Sequence, residues 1–184
     1  MRRREFGAAA ICAAWMIAAT SAVCQDSGKP AKLNSEVEQP ETWRLTRTPN
    51  PAGGPDTISI TKLADTTRSD HDIAGLMLRC GEGATTEVLV VLFEPLPPRT
   101  HPKVTVVAGA MTTVFTGSVV TPGPLVLLPE KASALVEHAW QSTPELAVAI
   151  TENDRSLHGV IPLTDISTAM QTLQSNCSKA PHGH

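Results

Sequence analysis

The sequence predicts a mainly β protein: an antiparallel β-sandwich-like domain with two short helices near the C-terminus. Three observations carry this. From Trp43 onward, apolar residues alternate with polar ones or gather in short Val-, Leu- and Ile-rich blocks, as in strands. Gly- and Pro-bearing turns separate these runs. Only two stretches, both after residue 128, repeat at the spacing of a buried helical stripe.

The elements follow in order. "TWRLT" opens the domain, with Trp43 and Leu45 alternating against Thr and Arg as in a half-buried strand, and "PNPAGGP" ends it. In "DTISITKL", Ile58 and Ile60 lie on one side and Thr57, Ser59 and Thr61 on the other. "IAGLMLRC" passes through the turn "GEGAT" into "TEVLVVLF", a hairpin whose loop exceeds two residues. Residues 103–107 and 111–120 form a second β pair around Ala108-Gly109-Ala110, and "PLVLLPE" is a short apolar strand between prolines. In "PEKASALVEHAW", Ala132, Leu135, Val136 and Ala139 fall at the i, i+3, i+4, i+7 spacing. In "TDISTAMQTLQSNC", Ile166, Ala169, Met170, Leu173 and Cys177 do the same, which puts Cys177 on the core side. Between the helices "ELAVAIT" and "LHGVIPL" pair around "ENDRS".

The N-terminus places three arginines before an alanine-rich apolar stretch over residues 6–23, the layout of a secretory signal peptide spanning 1–24. Cleavage is expected after Ala22 or Cys24. The alternatives are lipidation of Cys24 and a retained anchor, although about 18 weakly hydrophobic residues sit near the lower limit for a membrane span. Residues 25–41 read as a flexible linker, 42–178 as a single β-rich domain and 179–184 as a disordered tail. A periplasmic or secreted location follows, with no integral membrane span after signal removal. Without residues 1–24 the chain keeps 12 basic and 17 acidic residues, a net charge near −5. That balance argues against an anionic partner held by net charge. Aromatics make up 3% with no tyrosine, so no platform for stacking bases is expected, and no nucleic-acid role.

Of four cysteines, Cys12 leaves with the leader and Cys24 is expected to, leaving Cys80 and Cys177. In an exported chain two cysteines predict one disulfide, against the alternative of two buried thiols. Alternation from Leu76 and Leu78 sets Cys80 on their face, so both sulfurs point to one core. No CxxC is present, so thioredoxin-type redox chemistry has no support.

The densest polar cluster is Ser69-Asp70-His71-Asp72, just ahead of the "IAGLMLRC" strand. A Ser/His/Asp triad needs its side chains to converge, whereas neighbours on extended chain point to opposite faces. Polar residues entering a strand explain the cluster without catalysis. The six histidines show no HxxxH or HxH pair within an ordered element, so no metal and no cofactor is expected. Arg79 precedes Cys80 on its strand and points to the opposite face; it is either an ion-pair partner or part of an interaction surface.

With these landmarks the chain resembles the exported accessory proteins of type VI secretion known as VasI or TagO. The outline is a Trp-initiated strand "WRLTR", an arginine-bearing loop at Arg68 leading into "LMLRC", a valine-rich strand "EVLVVLF", a short helix, "LAVAIT", and "GVIPLTDISTAMQTLQSNC" closing on a cysteine. It covers residues 42–177, and departs from the pattern in "VTVVAGAMTTVFTGSVV", which lacks an arginine-bearing strand. Invasion-associated locus B type periplasmic proteins share a similar outline. The resemblance implies a non-enzymatic β-sandwich-like module that binds an envelope or secretion-system protein, with Arg68 and Arg79 as candidate interaction residues. The alternative from another class is a periplasmic hydrolase.

Overall fold

The computed structural model describes residues 42–50 and 54–177, so the leader at 1–24, the linker at 25–41 and the tail at 179–184 lie outside the described residues. In chain order the strands begin with β1 (Arg44–Thr48), β2 (Thr57–Leu63), β3 (Ile73–Cys80) and β4 (Thr86–Leu92). After these come β5 (Lys103–Ala108), β6 (Met111–Thr116), β7 (Ser118–Val120) and β8 (Leu125–Leu127). Helix α1 (Glu130–Glu137), the hairpin β9 (Glu145–Glu152) and β10 (Arg155–Pro162), and helix α2 (Ile166–Cys177) complete the order. One sheet runs β1-β2-β3-β4-β8-β7 and the other β10-β9-β5-β6, every pair antiparallel. The mainly β, sandwich-like class read from the alternation is what the chain adopts.

Apolar burial joins the layers. Ile60, Leu78 and Val88 are aligned across β2, β3 and β4, and with Val104, Val148 and Ile161 of the other sheet they belong to one core. At Gly159 the sheets approach closely: a Cβ there would lie 2.7 Å from Ile73 Cγ2, so any larger residue pushes β10 off β3. The second sheet alternates cleanly, as Val104, Val106 and Ala108 are buried while Lys103 is exposed, the pattern of a sheet wetted on one side.

Both helices fall where the spacing predicts. α2 buries Ile166, Ala169, Met170, Leu173 and Cys177, the whole predicted stripe. α1 buries Ala132 and Val136; Leu135 is partly buried, and Ala139 lies beyond its end in a 3-10 turn with the buried Trp140. Cys80 and Cys177 form the predicted disulfide, their Cα atoms 5.7 Å apart, inside the ordinary range. It fastens the end of α2 to a strand at the middle of the six-stranded sheet.

Two expectations are corrected. The run 111–120 is not one strand: it splits at Gly117, with β6 in one sheet and β7 in the other. A Cβ at Gly117 would stand 2.6 Å from Val126 Cγ1 and 3.3 Å from Val104 Cγ2, so the chain crosses between sheets where only glycine fits. Nor is β1 half-buried: all five residues are exposed, Leu45 at 45%, because β1 pairs only with β2 at the end of its sheet.

Candidate functional site

The Ser69-Asp70-His71-Asp72 cluster belongs to the loop between β2 and β3, and that loop lies along the outer edge of β10. The Asp65 N–H donates to the Val160 carbonyl and the Asp70 N–H to the His158 carbonyl, both at 2.8 Å. In return the Val160 N–H donates to Ser69 Oγ (2.9 Å) and the His158 N–H to Asp70 Oδ2 (2.7 Å). Two side chains thus stand in for the backbone acceptors of a further strand and satisfy the edge groups of two β10 residues. The Ser69 hydroxyl also points back to the Val160 carbonyl at 3.4 Å. Its bonds go to backbone, not to a histidine ring.

Arg68 is the loop's anchor. Its Nε donates to Asp65 Oδ2 (2.7 Å) and its Nη2 to Glu145 Oε2 (2.8 Å), bridging the loop to the start of β9. Asp65 also accepts from the Thr67 hydroxyl (2.7 Å) and the Thr67 N–H (2.9 Å). The Thr67 hydroxyl bond, then the Arg68 bond, hold the Asp65 carboxyl down at about 2, below its usual 3.8. The bonds to Glu145 and Asp65 push the Arg68 guanidinium above its ordinary range. Farther along, Asp72 pairs with Arg155 of β10 at 2.9 Å.

Arg79 stands directly opposite Glu87 on β4 and its Nε donates to the Glu87 carboxylate, the ion-pair role among its two predicted readings. Arg68 thus precedes β3 and Arg79 lies near its far end, each in its own ion pair. Beside Glu87 opens a cleft of about 470 Å³ against α1, rimmed by Glu130 and Glu137, where the Ser133 hydroxyl donates to the Thr86 carbonyl. Among the described residues no group of three or more His, Cys, Asp or Glu side chains is placed to hold a metal ion.

A second hollow, about 340 Å³, lies between β1 and α2 and is lined by Trp43, Leu45, Ile60, Ala169, Thr168 and Thr172 among others. The Trp43 indole N–H donates to the Thr164 carbonyl at 2.9 Å, which pins the start of β1 to the chain entering α2. Leu45 remains 45% exposed at its mouth and Asp165 also lines it, while Arg44 and Arg47 are exposed elsewhere on β1, Arg47 within 3.9 Å of Asp56. A largely apolar hollow with a single carboxylate in its lining suits an apolar side chain better than it suits a reacting group. Sequence reasoning singled out Trp43 but placed Leu45 inside. The usable signal was composition, since one leucine among two arginines and two threonines is too little apolar surface for a strand paired on both sides.

No protein-family model matches the chain, no curated protein matches it, and no solved structure matches it. The likeness to VasI or TagO proteins therefore rests on the quoted motifs. Among the described residues no helix is long and apolar enough to cross a membrane.

Proposed function

We propose that the protein is an exported, non-enzymatic interaction module that works in the periplasm or beyond it, binding an envelope or secretion-system protein in the manner of the VasI or TagO accessory proteins. The observation that carries the reading is the hollow beside β1, where Trp43 and the exposed Leu45 present apolar surface on a strand that is solvent-facing along its whole length. The Cys80–Cys177 disulfide supports the compartment, because such bonds persist outside the reducing cytosol. The partner is a protein segment that offers one apolar anchor to the hollow and a carboxylate to Arg44 or Arg47.

The test is a photo-crosslinking residue at position 45 in cells, with the same residue at the exposed Gln141 as control. A discrete envelope protein cross-linked only from position 45, and lost when Arg44 and Arg47 are both changed to Glu, is the expected result. Equal cross-linking from both positions, or a tagged chain that fractionates with the cytoplasm, would overturn the proposal.

A further inference from the structure

The two sheets have four edges, and three carry a recognisable device against further pairing. The β10 edge is covered by residues 65–72. β7 is only three residues long, and its Val119 N–H donates to the Thr100 carbonyl at 3.4 Å. β1 carries Arg44 and Arg47, both exposed. β6 has no such device. Its six residues, Met-Thr-Thr-Val-Phe-Thr, contain no charge and no proline, and among the described residues no hydrogen bond reaches them beyond the ladder with β5. They are β-branched or aromatic apart from Met111, so the strand keeps its extended form without outside help.

Alternation puts Thr112, Val114 and Thr116 on the outward side of β6, all exposed, with Val114 at 54%. Behind Val114 the row continues in register through Thr105 and Ala149 to His158, a face of mostly small, uncharged residues. We propose that β6 is where a second copy of this chain adds, antiparallel across a two-fold axis, to make one continuous eight-stranded sheet. The composition selects a second copy. Pairing that keeps outward residues on one face must be centred on a residue of the strand, and centring it on Val114 sets the two copies of Val114 side by side and each Thr112 against a Thr116. No like charges meet, and the β-branched pairs favour the ladder. The same operation on β1, centred on Thr46, would line four guanidinium groups along a five-residue seam. A strand pair of this length buries less than the roughly 1,600 Å² of a standard interface, so the dimer is reversible and concentration-dependent. This surface is separate from the hollow beside β1, so neither proposal depends on the other.

The experiment is sedimentation velocity of the oxidised protein over a hundredfold concentration range, with Val114→Lys, Val114→Glu and Leu45→Lys variants. Position 114 is half exposed, so the fold tolerates the first two, and circular dichroism checks this. The native chain should dimerise as concentration rises. Val114→Lys and Val114→Glu should each weaken the dimer about tenfold or more when alone, yet associate when mixed, because opposite charges then face each other across the seam. Leu45→Lys should dimerise like the native chain. A native chain that stays monomeric throughout, or a dimer that both Val114 variants leave intact, would overturn the proposal. If Val114→Lys misfolds, Thr112→Lys carries the same test, and a dimer unaffected by it counts against β6.

Discussion

The two edges of the four-stranded sheet meet solvent in opposite ways. At β10 the loop between β2 and β3 supplies the Ser69 hydroxyl and the Asp70 carboxylate as side-chain acceptors and the N–H groups of Asp65 and Asp70 as donors, so the edge is closed as if by another strand. At β6 no strand or loop among the described residues is hydrogen-bonded along the outer side. The difference does not come from the strands, since both are regular and antiparallel to their inner neighbours. It comes from what polar chemistry the topology brings to each. A cluster that looks like a triad in one dimension is, in three, a piece of imitation β-sheet.

The comparison can be stressed first by cutting the disulfide. Cys177→Ser should cost roughly 2–5 kcal/mol in denaturant unfolding, loosening α2 first. Because the tie lies between α2 and β3, amide exchange at β6 and β10 should accelerate together and the contrast between the edges should persist. Two reactive thiols per chain in unreduced, denatured protein would remove the premise. A more local strike is Asp70→Ala, which takes away the charged acceptor of the His158 N–H. The Asp70 side chain is half exposed, so the expected loss is about 0.5–1.5 kcal/mol, with faster hydrogen exchange at His158 and Val160 and no change at Thr112 or Val114. Uniform acceleration would mean that the loop does not seal the edge on its own.

The smallest effect is acid. Asp65 titrates at about 2 when folded and near 3.8 when free, so its contribution is complete above pH 4 and is lost as pH falls through 2. Between those values the stability contribution shrinks while the bonds from Thr67 and Arg68 persist, and only as pH falls through 2 should they fail and residues 65–72 loosen, while β6 keeps its exchange rates. The measurement is a carbon-detected titration of the Asp65 carboxyl. A midpoint near 3.8 would show that those bonds are not kept in solution.

Much of this was legible in the residues. The α2 stripe was complete in the sequence, because an amphipathic helix on a core writes its period plainly. The Cys80–Cys177 pairing followed from two separate face assignments that had to meet. What stayed hidden were facts about neighbours rather than periods. The residues on either side of Gly117 read as one continuous β-rich run, yet the glycine marks a change of sheet that its close approach to Val104 and Val126 explains. Lys62 reads as a polar strand residue, but it shares a face with Ile60, stands opposite Leu76 and is 3% exposed. In the loop 65–72 no local signal could reveal that the partners of Ser69 and Asp70 lie some ninety residues later.

Those long spans have a consequence for the newborn chain. Asp70 waits 88 residues for His158, Ser69 waits 91 for Val160, Cys80 waits 97 for Cys177 and Trp43 waits 121 for Thr164. At the usual pace of synthesis, Thr164 follows Trp43 by roughly 6–24 s, far longer than a hairpin needs to form. During that interval the β2–β4 meander has no helix on it and no hairpin beside it, and every one of these closures completes only with the last quarter of the chain. Local hairpins can form as the chain emerges, but the fold can close only when its last quarter has been made.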